Sequence, residues 1–144
     1  MALSGGDGHE TAGGERQVVV WCLDDVPTAR RAAQAAARAA GLCAVDVATV
    51  ALVASELAAN LARYAPGGAL TAGPFGECCM RIVAEDDGPG IDEPVQALED
   101  GYSTGGGLGG GLGTVRRLTD RFELRTSSGG TRIEVVKCCM HRTP

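Results

Sequence analysis

The sequence predicts an α+β fold, a two-layer sandwich, and three observations carry that expectation. Long apolar segments of helical character occupy the first half, over about 24–40 and 46–64. Short alternating runs at 122–126 and 131–135, joined by Gly129-Gly130, read as a hairpin near the C-terminus. Helices therefore group early and strands late, an order that suits packed layers better than a doubly wound parallel sheet. At 144 residues there is room for one domain with a real core, burying about two-thirds of the extended-chain surface. Aromatic residues are 3% of the chain, so that core is built from Ala, Val, Leu and Ile.

Residues 1–16 carry five glycines and no hydrophobic periodicity. They read as a disordered leader ahead of a domain over 17–140. Val18-Val19-Val20-Trp21-Cys22 reads as a strand. Asp24, Asp25 and Pro27 open an alanine-rich helix that Gly41 stops. Asp46 is the expected N-cap of the next helix, which ends near Tyr64 before Pro66-Gly67-Gly68. Residues 78–84 read as a buried strand running into Asp86-Asp87-Gly88-Pro89-Gly90. After Ile91 come a polar stretch, a glycine-rich run over 101–113 and a short helix to about Asp120.

The formal net charge of −5 argues against nucleic-acid binding, because no basic patch is present to release phosphate counterions. His9 and His141 lie near the two ends and are not expected to form a catalytic or metal cluster. Cys78-Cys79 and Cys138-Cys139 are adjacent pairs, Cys22 and Cys43 stand alone, and no C-x-x-C spacing occurs. That arrangement argues against zinc and disulfides alike. With no apolar signal segment in 1–15, the expectation is a cytoplasmic protein without a membrane partner. Its thiols are then reduced and mostly buried as small hydrophobes.

Three constellations carry chemistry. Between Val47 and Ala62 the only polar residues are Thr49, Ser55, Glu56 and Asn60. Glu56 and Asn60 stand at i and i+4, on one helix face. Burying a carboxylate and an amide there is costly unless a cation or a reacting group satisfies them. Glu56 suits a general base. Asn60 suits magnesium, which takes oxygen ligands and shares them with waters and phosphates. A solvated stripe continuing to Arg63 is the competing reading.

In Asp86-Asp87-Gly88-Pro89-Gly90 a carboxylate closes a strand, and two glycines let the backbone turn and approach a ligand. Asp86 can accept a hydrogen bond from an exocyclic amine such as that of adenine; an ordinary Asp/Gly turn is the alternative. Eight of the 22 glycines fall between 101 and 113, which makes that run a local device. Successive free amides can wrap an anion, and the following helix turns its positive end to phosphates, as in a lid. A flexible linker is the alternative. No G-x-x-x-x-G-K-S/T occurs, and Gly105-x-Gly107-x-x-Gly110 follows no apolar strand. P-loop and Rossmann assignments therefore fall away.

In this order the motifs resemble the N, G1 and G2 boxes of the GHKL ATPase/kinase superfamily. Within it, Ser-Glu-Leu-Ala-Ala-Asn-Leu-Ala-Arg-Tyr-Ala (55–65) and Gly-Tyr-Ser-Thr-Gly-Gly-Gly-Leu-Gly (101–109) are similar to the RsbT-like anti-sigma-factor serine/threonine kinases. The resemblance spans about 17–137. It implies the Bergerat fold, with helices on one face of a mixed, mostly antiparallel sheet and ATP held between helices and a lid. It implies Glu56 as general base, Asn60 as magnesium ligand and Asp86 as adenine contact. Gly88 and Gly90 would shape the base pocket, and Thr131 would support Asp86. Ser103, Thr104, Gly105, Gly107, Leu108, Gly109, Gly111 and Leu112 would form the phosphate lid. This branch usually reads Gly-Leu-Gly-Leu-Gly-Leu; Gly110 replaces a lid leucine here, which implies weaker closure.

The activity so implied is phosphorylation of a STAS-domain antagonist protein with ATP and Mg2+, in a partner-switching, stressosome-like pathway. A phosphatase activator is a further partner that the resemblance admits. The alternatives are an anti-sigma factor with kinase activity, which binds a sigma factor, and a non-catalytic ATP-binding switch. No dimerisation helix with a phosphoacceptor His is present in the sequence, which sets histidine kinases aside.

Overall fold

A computed structural model of the chain describes residues 9–10, 14–91 and 111–139. Strands β1 (His9–Glu10) and β2 (Arg16–Val20) lead through a 3-10 turn at Leu23–Asp25 to helices α1 (Val26–Ala39) and α2 (Ala44–Tyr64). Strands β3 (Gly68–Pro74) and β4 (Cys79–Asp86) follow, then α3 (Gly111–Leu118) and the hairpin of β5 (Arg121–Ser127) and β6 (Gly130–Cys138). The strands form one sheet in the order β1-β2-β3-β4-β6-β5. Every described pairing is antiparallel, so the α+β sandwich is what the sequence predicts.

Alternation decides which face of the sheet is covered. Val18, Val20, Leu70, Ala72, Met80, Ile82, Ala84, Ile133 and Val135 join one apolar cluster with α1 and α2, as successive strand residues point to opposite faces. Helix α1 contributes Ala29, Ala32, Ala33, Ala36 and Ala37, whose small side chains let it lie close to both α2 and the sheet. Asp25 fixes the corner before α1: it is buried, and its Oδ2 accepts the amides of Trp21 at 2.8 Å and Cys22 at 3.2 Å. The other sheet face is charged. Arg132 pairs with Glu134 at 2.8 Å and Glu85 at 3.8 Å, Arg81 with Glu15 at 3.5 Å, and Arg125 with Glu123 at 3.0 Å.

Helix α2 is long and apolar enough to cross a membrane by length and composition, but 67% of its apolar window is buried inside the fold. It is the central core helix. Its N-cap is Cys43, not Asp46. Asp46 sits in the first turn, buried, where it accepts the Cys43 thiol at 3.3 Å and lies 4.0 Å from Lys137 Nζ. A carboxylate in that turn still offsets the positive end of the helix.

Three further expectations are corrected. Strand β3 is absent from the sequence reading, because Gly68-Ala-Leu-Thr-Ala-Gly-Pro has little β propensity; pairing with β2 and β4 on both sides makes it a strand. The sheet also begins earlier than residue 17. His9 and Glu10 pair with Gln17 and Arg16, while residues 1–8 and 11–13 of the expected leader lie outside the described residues. The thiols differ most. Cys78–Cys139 and Cys79–Cys138 are disulfides, and Cys22 and Cys43 are exposed. Spacing could not disclose this, because the partners are 61 and 59 residues apart and meet only through β4–β6 register.

Candidate functional site

The polar turn of α2 enters the fold as a buried one. Ser55 returns its hydroxyl to the Ala51 carbonyl at 2.8 Å, a satisfied helix serine. Glu56 is 5% exposed, and among the described residues no donor is hydrogen-bonded to its carboxylate. Burial pushes Glu56 above the usual carboxylate range, and the Arg63 charge pulls weakly the other way. A buried carboxylate with a raised pKa is suited to accept a proton from a substrate. Asn60, one turn on, is half-buried.

The second part of the site forms where β4 and β6 end. Asp86 and Thr131 are direct register partners, on the face shared with Ala84 and Ile133 and hence the helix side. Asp86 Oδ1 accepts the Gly88 amide at 2.9 Å, an Asx-type turn that leaves Oδ2 for another donor. Thr131 makes no side-chain bond to Asp86 among the described residues. Its hydroxyl meets that of Thr126 at 2.9 Å, and the Thr126 Oγ1 accepts the Ile91 amide at 2.8 Å. Thr126 therefore ties the Gly88–Gly90 turn to the hairpin. Nothing in the sequence marked it, because a threonine in an alternating strand has no distinguishing pattern.

Glycine is required at two places here. A Cβ at Gly90 (φ +84°) would lie 2.1 Å from the Ser127 carbonyl oxygen, and one at Gly130 (φ +145°) 2.2 Å from that of Asp86. At Gly88 a Cβ would stand 3.1 Å from Asp86 Oδ1 and 3.2 Å from the Ala65 Cβ. The turn is thus pressed against the C-terminal end of α2. Along that helix the rise from Glu56 to Ala65 is about 13.5 Å. Helix α3 packs against α2. It begins at Gly111 (φ +45°), and its Leu112 is 5% exposed and part of the core, so a ligand contact there falls to backbone. Ser103, Thr104, Gly105, Gly107, Leu108 and Gly109, with Gly110, lie outside the described residues.

Two open cavities touch Asp86, one of about 340 Å³ with Thr126, Gly130 and Thr131, the other of about 330 Å³ with Gln17, Gly67 and Thr71. Neither reaches Glu56 or Asn60. No group of three or more His, Cys, Asp or Glu side chains among the described residues is arranged for a metal. A cation here would take one protein oxygen, from Asn60, with phosphates and waters as its other ligands.

Residues 22–137 match the histidine kinase-like ATPase domain. The chain belongs to that family. It is 40% identical over 117 residues to the serine/threonine-protein kinase RsbT of Bacillus subtilis (strain 168), covering 78% of this chain and 88% of that protein. Among solved structures, the RsbU and RsbW domains of a Mycobacterium tuberculosis protein superpose with a TM-score of 0.62 at 15% identity, over 86% of this chain and 32% of that one. The histidine kinase domain of a blue-light-activated kinase from Erythrobacter litoralis gives 0.51 at 18% identity, over 88% and 69%. These structures share the fold. The B. subtilis kinase shares the sequence of the family as well.

Proposed function

We propose that this family member is a cytoplasmic serine/threonine protein kinase that transfers the γ-phosphoryl group of ATP to a STAS-domain antagonist protein. One observation carries the reading. Glu56 is a buried, raised-pKa carboxylate without a protein donor among the described residues, on the helix whose far end abuts the Asp86 turn. The 40% identity to a protein named as a serine/threonine kinase supports transfer rather than binding alone.

In this reading Asp86 receives the adenine amine on Oδ2 and Gly88–Gly90 frame the base. Glu56 accepts the proton of a serine or threonine hydroxyl as its oxygen bonds to the γ-phosphorus and ADP departs. Asn60 would hold Mg2+, which supplies charge neutralisation at the phosphates. Gly111 and the preceding glycines would give their amides to phosphate oxygens. A phosphatase activator and a sigma factor would be the other partners in this reading.

The test is incubation with labelled ATP, Mg2+ and a purified STAS domain. Label should reach a serine or threonine of the STAS protein, and Glu56→Ala should abolish this while ATP still binds. Undiminished transfer by Glu56→Ala removes the base assignment. ATP binding without transfer to any STAS protein leaves the non-catalytic switch.

A further inference from the structure

At the end of the sheet away from Asp86 and Thr131, four of the six cysteines meet. Cys79 and Cys138 are register partners in β4–β6, with Cα atoms 4.0 Å apart, and Cys78 and Cys139 lie one step outward at 5.7 Å. The Cys139 amide donates to the Cys78 carbonyl at 2.9 Å, so the ladder continues past the strand ends. Consecutive strand residues point to opposite faces, and Cys78 departs from that geometry with φ +55°, which lets both neighbours bond.

As staples the two disulfides are redundant. Either one closes a loop of about 60 residues, and once it is closed the other closes only a ring of a few residues. Restriction of the unfolded chain grows with loop length, so the second bond adds little stability. What the second bond does add is chemistry, because opening one disulfide leaves two thiols beside the other. Cys79 is 8% exposed, whereas Cys78, Cys138 and Cys139 are half-buried. Both sulfurs of the outer bond belong to half-buried residues and only Cys138 of the inner one does, so an external thiol has two points of attack on the outer pair and one on the inner.

We propose that Cys78, Cys79, Cys138 and Cys139 form a reversible thiol–disulfide site that a dithiol reductant opens stepwise, Cys78–Cys139 before Cys79–Cys138. A thiolate of the reductant attacks one sulfur of Cys78–Cys139, giving a mixed disulfide and releasing the other cysteine, which takes a proton. The reductant's second thiol displaces the remaining cysteine and closes the reductant's own disulfide. Two electrons and two protons have then passed to the protein. A second dithiol opens Cys79–Cys138 by the same exchange. The covalent hold of β6 on β4 is lost only at this second step. Nothing in this chemistry depends on the kinase reading.

The experiment uses the full chain, oxidised with diamide, then equilibrated with increasing dithiothreitol, alkylated and mapped by mass spectrometry. Before reduction only Cys22 and Cys43 should be alkylated. Cys78 and Cys139 should appear next with the melting temperature unchanged. Cys79 and Cys138 should follow with a fall of roughly 10–20 °C, reversed by diamide. The Cys78→Ser/Cys139→Ser variant, which keeps the inner bond, should melt within about 3 °C of the oxidised protein and reduce in one step. Six alkylated cysteines in oxidised native protein would overturn the site, as would simultaneous opening of both bonds. Protection of all four reduced thiols by one equivalent of Zn2+ would overturn it in favour of a metal site.

Discussion

Gly130 and Asp86 approach so closely across the β4–β6 ladder that a Cβ on Gly130 would stand 2.2 Å from the Asp86 carbonyl oxygen. The backbone of Gly130 also lies at φ +145°, where other residues are strained. Gly130→Ala should therefore push Asp86 out of place and destabilise the fold by about 2–4 kcal/mol. Gly129→Ala is the control, since its Cβ would meet only Ser127 Oγ at 3.7 Å; it should stay within about 1 kcal/mol. Urea unfolding of the two variants decides the matter, and equal stabilities would refute the close approach.

Glu56 trades stability for reactivity. Burial raises its pKa above the ordinary 4.5, so the folded chain binds this proton more tightly than the unfolded one. Between 4.5 and the raised folded value, stability falls as pH rises, and above that window the penalty is constant. Glu56→Gln removes the charge while keeping the shape. It should melt higher than the parent at pH 7.5 and match it near pH 4, and phosphoryl transfer should drop about 10²–10⁴-fold. A variant that melts lower at pH 7.5 would show that the carboxylate is satisfied after all.

How much of this was legible beforehand follows from what each signal depends on. Helices α1 and α2 were readable because their punctuation is local: Pro27 and Gly41 bracket one, and Pro66-Gly67 follows the other. The Glu56–Asn60 face needed only the helical period. Strand β3, the Cys79–Cys138 bond and Thr126 were not readable, because each is defined by a partner on another strand. Asp46 misled for a related reason. It looks like a cap, yet its burial and its approach to Lys137 of β6 draw it into the first turn instead.

Thr126 holds the site together through one hydroxyl that accepts the Ile91 amide and meets Thr131. Thr126→Val keeps the volume and strands that amide. It should cost about 1–3 kcal/mol of stability and weaken ATP binding, because the Gly88–Gly90 turn loses its anchor. Asp86→Asn should differ, keeping stability within about 1 kcal/mol while lowering ATP affinity by roughly tenfold or more. Calorimetric titration separates the two. Unchanged ATP affinity in Asp86→Asn would remove the adenine contact.

On the open face of the sheet, Glu134 and Glu123 are register partners, a like-charge pair made tolerable by surrounding arginines. The Arg132 hydrogen bond at 2.8 Å is the main reason that Glu134 lies below its ordinary 4.5; burial opposes it, and the charges of Arg132, Arg81 and Arg121 assist. The sign is opposite to that of Glu56. With the folded value depressed, this contribution is fully present above the unfolded value and disappears as pH falls through the folded one. Glu134→Gln should accordingly melt lower than the parent at pH 6, and the gap should narrow as pH falls below the ordinary 4.5 and close below the depressed folded value. Because the two carboxylates act in opposite directions from the same ordinary value of 4.5, their combined contribution should peak around it, with the acid limb shallower in Glu134→Gln and the neutral limb shallower in Glu56→Gln. Melting curves across pH 2.5–8 test both limbs, and an acid limb that survives undiminished in Glu134→Gln would place the stabilising ion pair elsewhere on this face.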